Sequence, residues 1–365
     1  SAVTRTNGIT LNGGRLSVAS TQSTSNTTDS FGVLTLGQGA GILNSTLLSG
    51  GSNVISVTPN GKNARVNFDS ATVNSGGTVL FVTNNSGGSY RIGAGTLASQ
   101  TASGINIAFN TAPTLVGDAV SGGTITTTSG IIPWAITNTG APVAGTISDF
   151  VTYDSAYGVR TLTSYAANLA LSGGKAQNVK LTAGDTTNNT NATVNSLIIN
   201  NTAANLTQNI SGTLTVNSGA VLLNPGFNVS ALSTTIAGGI LQLGTGGADG
   251  YIYMQQARPN TISSVIAGPD ASHNLVLNFG NSNNTAGVLV LSGNNTYAGG
   301  TIVNSANSAS GLVIGGTASG ATLSTPTLTA GTTGSFGSGD VTLNNIKVYL
   351  NRSNAFTVAN NISGS

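Results

Sequence analysis

Acid–base or nucleophilic chemistry needs several titratable groups gathered in one place, and this sequence supplies few. His273, in PDASHNLVL, is the only histidine, so a Ser-His-Asp triad has one base to draw on; a solvated turn histidine is the simpler reading. All nine acidic residues are aspartates. The closest grouping of opposite charges is Asp149, Asp154 and Arg160 in SDFVTYDSAYGVR. Odd spacing sends Asp149 and Asp154 to opposite faces of a single strand, so a loop ion pair describes the group better than the paired carboxylates of a glycosidase. Asp249 in GTGGADGYI and Asp340 in GSGDVTL lie in glycine-aspartate phrases of the kind that bind calcium in tandem copies. Each stands alone, as turn residues do. LTLGQGAGIL at 34–43 has a Gly-x-Gly-x-Gly run after a strand pattern but no helix pattern and no acid about 20 residues on, which excludes dinucleotide binding. No residue is assigned as catalytic, cofactor-binding or metal-ligating, and no cofactor is expected.

The elements that would position such residues follow from composition. Of 365 residues only 5% are charged, 51 are glycine and none is cysteine or glutamate, against about 25% charged in an average soluble domain. Helix surfaces draw on Glu, Lys, Arg, Leu and Ala, whereas this chain uses Thr, Ser, Asn, Val, Ile and Gly. It is therefore mostly β. Hydrophobic residues make up 38% of the chain, enough to bury a core and unlike a disordered chain. A net charge of +2 gives no electrostatic footprint for nucleic acid. Without cysteine there is no disulfide framework or thiol chemistry. No apolar run reaches the roughly 18 residues of a membrane span, and the N-terminal SAVTRTNGITLNGG has no signal-peptide pattern. The 11 lysines and arginines leave few sites for trypsin-like proteases, which suits an exposed extracellular protein.

A short pattern recurs: ITLNGGRLSV at 9–18, TVNSGGTVL at 72–80, TVNSGAVLL at 215–223 and VTLNNIKVYL at 341–350. Each reads as strand, corner, strand, with Asn and Gly taking the positive φ of a tight turn. One copy cannot bury its apolar face; stacked copies can. The expected fold is all-β, a right-handed parallel β-helix, and one continuous β-solenoid over 1–365. Rungs of about 20 to 25 residues would make on the order of 15 turns and a rod of roughly 70 to 80 Å. The last residues, TVANNISGS, keep the strand pattern and would expose an open edge; continuation of the chain or a stacked subunit is expected there. Residues 131–171, with the sole Trp, two prolines and a concentration of tyrosines, are the expected insert, and TSYAANLAL within them could form a short helix.

GVLVLSGNNTYAGGTIVN, followed by GSFGSGDVTLNNIKVYLNRSNAFTVANNISGS, resembles the autotransporter-associated β-strand repeat, whose hallmark is L-S-G-x-N-T-Y-x-G-G-T. Leu291, Ser292, Gly293, Asn295, Thr296, Tyr297, Gly299, Gly300 and Thr301 match it. TAPTLVG, IIPWAITNTG, DFVTYDSAYGVRTLT and NTISSVIAG are similar to segments that recur between repeats in very large bacterial surface proteins. The usual Lys-Gly phrase before the hallmark is missing, and these 365 residues do not include a membrane β-barrel translocator. The resemblance implies an exported structural or adhesive segment of a bacterial surface, fibre or matrix protein, without enzymatic activity. Its expected partners are copies of itself, stacked end to end or laterally, the rest of a longer chain, and surface glycans. The alternative is a carbohydrate-binding or polysaccharide-degrading β-helix, with Tyr90, Tyr251, Tyr253 and Tyr349 able to stack on sugars or to pad an outer face. Asn-x-Ser/Thr triplets at Asn44, Asn191, Asn205, Asn228 and Asn351 matter only in a glycosylating host.

Overall fold

The fold is that of a computed structural model, which describes residues 2–4, 6–19, 26–40, 52–59, 63–83, 91–98, 104–138, 148–201, 204–223, 232–245, 247–254, 258–280, 287–319 and 326–364. Among these residues the chain is all-β, without a helix. Most ladders are parallel, and most strands return to the same sheet after visiting two others. Ala2–Thr4, Ile9–Leu11 and Arg15–Ala19 open three sheets. The next three strands, Thr27–Phe31, Leu34–Leu36 and Asn53–Thr58, pair with them in that order, and Ala64–Phe68, Ala71–Val73 and Val79–Thr83 repeat the cycle.

The parallel ladders are not continuous over 1–365. Ala135–Asn138 still pairs in parallel with Val79–Thr83, but Ser148–Asp154 and Gly158–Thr161 then add to it antiparallel. A second stack begins at Asn178–Leu181. Its longest sheet has eight strands, through register partners Leu197, Val221, Ile252, Leu277, Val303, Leu343 and Gly364, which lie 21 to 40 residues apart. At about 4.8 Å per strand this stack is roughly 35 Å long. The single long rod expected from the repeats is thus replaced by two shorter stacks, because antiparallel pairing at 148–161 ends the first ladder. TSYAANLAL forms no helix: the Leu169 N–H bonds the Asp185 carboxylate at 2.8 Å and Ala166 bridges to Val179.

The stacks lie side by side and run in opposite directions. As residue numbers rise in the first, those of its partners in the second fall: Gly39 meets Asn304, Thr78 meets Asn278, Pro133 meets Tyr253, and Asp149 meets Lys180. Each stack has its own apolar interior, and a third cluster fills the seam between them, with Val54, Leu80, Val82, Leu222, Tyr253 and Val276. Alternate residues of one strand feed two cores. In Val79–Thr83, Val79 and Phe81 point into the first stack while Leu80 and Val82 point into the seam. Strands buried on both faces read as continuous apolar runs, as parallel sheets covered on both sides do.

All four sequence repeats are strand, corner, strand. Their corners hold Gly13, Gly76, Gly219 and Asn345 at φ between 59° and 75°. Three copies turn onto the seam sheet; the fourth, at 341–350, turns off it. Phe31, Phe68, Phe109 and Tyr153 form a file of rings 5.5 to 6.0 Å apart through the first interior.

Candidate functional site

The titratable residues of the chain concentrate where one stack hands over to the other. The antiparallel strands 148–154 and 158–161 carry Asp149, Asp154 and Arg160, and the first strand of the second stack carries Lys180. Asp149 is not in a loop, and its cation is not Arg160. Lys180 Nζ lies 2.6 Å from its Oδ1 and 4.7 Å from the centre of the Tyr165 ring. Burial raises the Asp149 carboxyl above the ordinary aspartate range, against the opposing pull of Lys180. Burial, then the neighbouring Asp149, pushes the Tyr165 hydroxyl well above its usual value. Asp154 accepts the N–H groups of Gly123 and Ala156 at 2.8 and 2.7 Å. Arg160 donates to the Gly123 carbonyl at 2.6 Å and stacks on Tyr157. The trio therefore splits in two: Asp154 and Arg160 both hold Gly123, through its N–H and its carbonyl, while Asp149 holds Lys180.

Beside it a polar groove of about 300 Å³ is lined by residues that include Asp118, Thr128, Lys175, Asn195 and Asn217. Lys175 Nζ is 2.9 Å from both carboxylate oxygens of Asp118, and the Thr128 hydroxyl donates to Oδ2 at 2.8 Å. The Lys175 and Thr128 hydrogen bonds hold the Asp118 carboxyl below its usual value. The ion pair is exposed, and such pairs contribute little to stability. Its donors are largely engaged within the protein: Asn195 Nδ2 donates to the Val116 carbonyl and to Asn178 Oδ1, and the Thr128 hydroxyl to Asp118.

Sequence-level candidates elsewhere are occupied structurally. His273 Nδ1 lies 2.7 Å from Asp270 Oδ1 within one turn, and the Ser272 N–H donates to the same oxygen; among the described residues no serine hydroxyl bonds the ring. Asp249 accepts from the Asn274 N–H, and Asp340 from the Asn361 amide. Among the described residues no group of three metal-ligating side chains occurs. Asn191, Asn205 and Asn351 bond the backbone at Thr213, Ser233 and Thr329. Asn44, Asn228 and Tyr90 lie outside the described residues. Tyr251 and Tyr253 are buried in the seam, rings 6.3 Å apart, and the Tyr253 hydroxyl donates to the Pro133 carbonyl at 2.8 Å. Tyr349 packs against Gly311 and a small apolar cluster.

The side chains with most structural consequence are asparagines. Asn278, Asn304 and Asn344 form a ladder on adjacent strands, with Asn304 Nδ2 donating to Asn278 and Asn344 Nδ2 donating to Asn304 at 3.2 and 3.0 Å. Asn304 also donates to the Gly76 carbonyl and accepts from the Gly39 N–H, so all four of its hydrogen-bonding positions are filled. The ladder both ties successive turns of one stack and clamps the other stack. Of the three only Asn344 belongs to a sequence repeat; Asn278 and Asn304 sit within strands, and their reach across the seam was not legible.

Lys180→Met isolates Asp149 in a buried site and is expected to cost about 3 kcal/mol at neutral pH. The folded Asp149 carboxyl titrates above the unfolded one, so its stabilising contribution is present at low pH and is lost as pH rises through the folded value. Removing Lys180 takes away a lowering influence and moves that loss to higher pH. Urea unfolding across pH should therefore show the deficit shrinking in mildly acidic buffer, with Asp149→Leu/Lys180→Met recovering most of it. A deficit independent of pH would contradict this account.

No family model matches the chain, and no curated protein or solved structure is significantly similar to it.

Proposed function

We propose that the chain is a right-handed parallel β-solenoid, folded back on itself, that serves as a structural or adhesive element outside a bacterial cell, in a surface, fibre or matrix protein. It acts through self-assembly and stiffness, not catalysis. The observation that carries this reading is the cyclic ladder: most strands return to their sheet after two others, with asparagines in register at the seam and apolar side chains inside both stacks. Right-handedness follows from the strong bias of parallel crossover connections. The paucity of lysine and arginine and the burial of backbone in ladders suit a protein exposed to proteases. The Asp149–Lys180 pair ties the hairpin to the second stack, a positional use of charge that needs no substrate.

The test is direct. The purified chain, incubated with trypsin and separately with a panel of polysaccharides, is expected to survive digestion and to release no reducing ends. Polysaccharide cleavage would overturn the reading in favour of a β-helical carbohydrate-active enzyme. Of the four tyrosines able to stack on sugars, Tyr251 and Tyr253 are buried and Tyr349 is half-buried, so among the described residues only Tyr349 offers that alternative a ring.

A further inference from the structure

Among the described residues Lys175 and Lys180 each meet a carboxylate, in different surroundings. The side chains of Lys175 and Asp118 are 60% and 42% exposed, whereas those of Lys180 and Asp149 are 23% and 9% exposed. The second pair sits where the hairpin 148–161 meets the first strand of the second stack. Ile198, the register partner of Lys180, belongs to the seam cluster with Phe150, Leu162 and Tyr253, and Tyr165 packs against that cluster. The Tyr165 hydroxyl oxygen is buried without a well-aligned hydrogen-bond partner, and the carboxylate beside it is that of Asp149. An amine, a carboxyl group and a hydroxyl are thus enclosed together.

An exposed lysine and aspartate do not condense, because the ammonium has no lone pair and the carboxylate resists addition. Burial works against both charges: taking the pair out of water favours a neutral amine and acid over two ions, and burial already raises the Asp149 carboxyl. The 2.6 Å contact between Nζ and Oδ1 is the path by which that proton passes. It also leaves Nζ one carbon–oxygen bond away from Cγ, close to the roughly 3 to 3.5 Å of a near-attack geometry. We propose that Lys180 and Asp149 join in an intramolecular amide, Nζ to Cγ, with the assistance of Tyr165 and the release of one water. The Nζ lone pair adds to Cγ as the carbonyl π pair moves onto oxygen, where the Tyr165 hydroxyl stabilises it by donating a hydrogen bond. The oxygen pair then re-forms the carbonyl, the Cγ–OH bond breaks, and the hydroxide departs as water with a proton from the nitrogen. The step balances without an oxidant or co-reactant. Its product is a covalent tie between the two stacks that restricts the unfolded chain as a disulfide does, in a sequence without cysteine. The ion pair described above is the state before reaction, and the pH response of Asp149 is that of chains not yet joined. The bond does not depend on where the protein works, so it stands or falls separately from the role proposed above.

Intact-mass spectrometry of the purified 365-residue chain, denatured before injection, is expected to show a species one water lighter than the sequence requires. Tandem spectra of a protease digest should join the peptide of Asp149 to that of Lys180, and should join no peptide of Asp118 to that of Lys175. Lys180→Arg keeps the cation, but its guanidinium stays protonated and has no amine to offer; it should carry its full mass with unchanged far-UV circular dichroism. Tyr165→Phe, followed over time after cell-free synthesis, should link about a hundredfold more slowly, and linking at the wild-type rate would remove Tyr165 from the reaction. A wild-type chain still at full mass after prolonged incubation overturns the proposal. So does a water loss that maps to another pair or persists in Lys180→Arg, as ring closure at Asp249–Gly250 would give.

Discussion

Replacing Asn53 by leucine is expected to unfold the first stack at markedly lower denaturant, with a loss of roughly 4 to 6 kcal/mol. Asn53 is fully buried and uses every hydrogen-bonding position of its amide. Its Oδ1 accepts from the Gly13 and Gly14 N–H groups at 2.8 and 3.1 Å, and its Nδ2 donates to the Gly37 and Thr78 carbonyls at 2.8 and 3.0 Å. These four groups belong to corners of three successive turns. Leucine matches the volume but strands the half-buried Gly13 and Gly14 N–H groups and the buried Gly37 carbonyl, each at a cost of about 1 to 3 kcal/mol with some relief from local relaxation, while the Thr78 carbonyl keeps the Asn53 backbone N–H. Against a typical total of about 5 to 15 kcal/mol, that is enough to populate partly unfolded chains. Asn53→Asp separates the halves of the effect: the carboxylate keeps the two glycine N–H contacts but faces two carbonyls. Its deficit should shrink on acidification, when the protonated carboxyl can donate to one of them. Urea midpoints with unchanged m-values would report both results, and an Asn53→Leu midpoint within error of wild type would show that the four bonds carry no net stability.

The strand-and-corner grammar was open to reading because it is local. Thr alternating with Val, Ile or Leu and broken by Asn or Gly gives a strand, a positive-φ corner and another strand, and the four repeats fold that way. The reversal of direction was harder to see, because it depends on pairs such as Asp149 and Lys180, on strands from different stacks. One signal was present. VLFVT at 79–83 and YIYM at 251–254 lack alternation, which asks for cover on both faces, and a lone solenoid would cover only one. Lys180 in NVKLT reads as the outward residue of an alternating strand. Nothing nearby in sequence announces its buried partner. The helix considered for TSYAANLAL failed for a similar reason: local propensity gave way to Leu169 packing in the second interior and its N–H finding Asp185. Against the opposing effect of burial, the backbone N–H groups of Leu169, Thr187 and Asn188 and the Asn188 side-chain amide hold that carboxylate below its usual value.

Gly299→Ala is the change expected to damage the repeat hallmark most, by about 3 to 5 kcal/mol. The stretch around it has no strand of its own, yet its backbone is tied on both sides. Ser292, Thr296 and Ala298 donate to Ile262, Ile266 and Pro269, while Gly293 and Tyr297 accept from Ser335 and Ser338. Tyr297 is buried, its hydroxyl 2.7 Å from Thr301 Oγ1, and burial raises that hydroxyl's pKa; it belongs to the interior and does not cover an edge. A β-carbon on Gly299 would overlap the His273 carbonyl oxygen and sit 2.6 Å from that of Asp270. Both obstacles are main chain, so no rotamer change relieves them, and the turn is fastened by Asp270 and His273. The glycine pair of the hallmark is therefore a requirement for close layers of backbone. Gly122→Ala supplies the contrast: φ is +62° but nothing lies within 4 Å of the added carbon, so only conformational strain of about 1 to 2 kcal/mol applies. If thermal unfolding ranks the two variants equally, steric contact between layers is not what the hallmark glycine provides. If Gly299→Ala alone accelerates amide exchange at 292–300 and in the adjoining 270–274 turn, the layer contact is the cause.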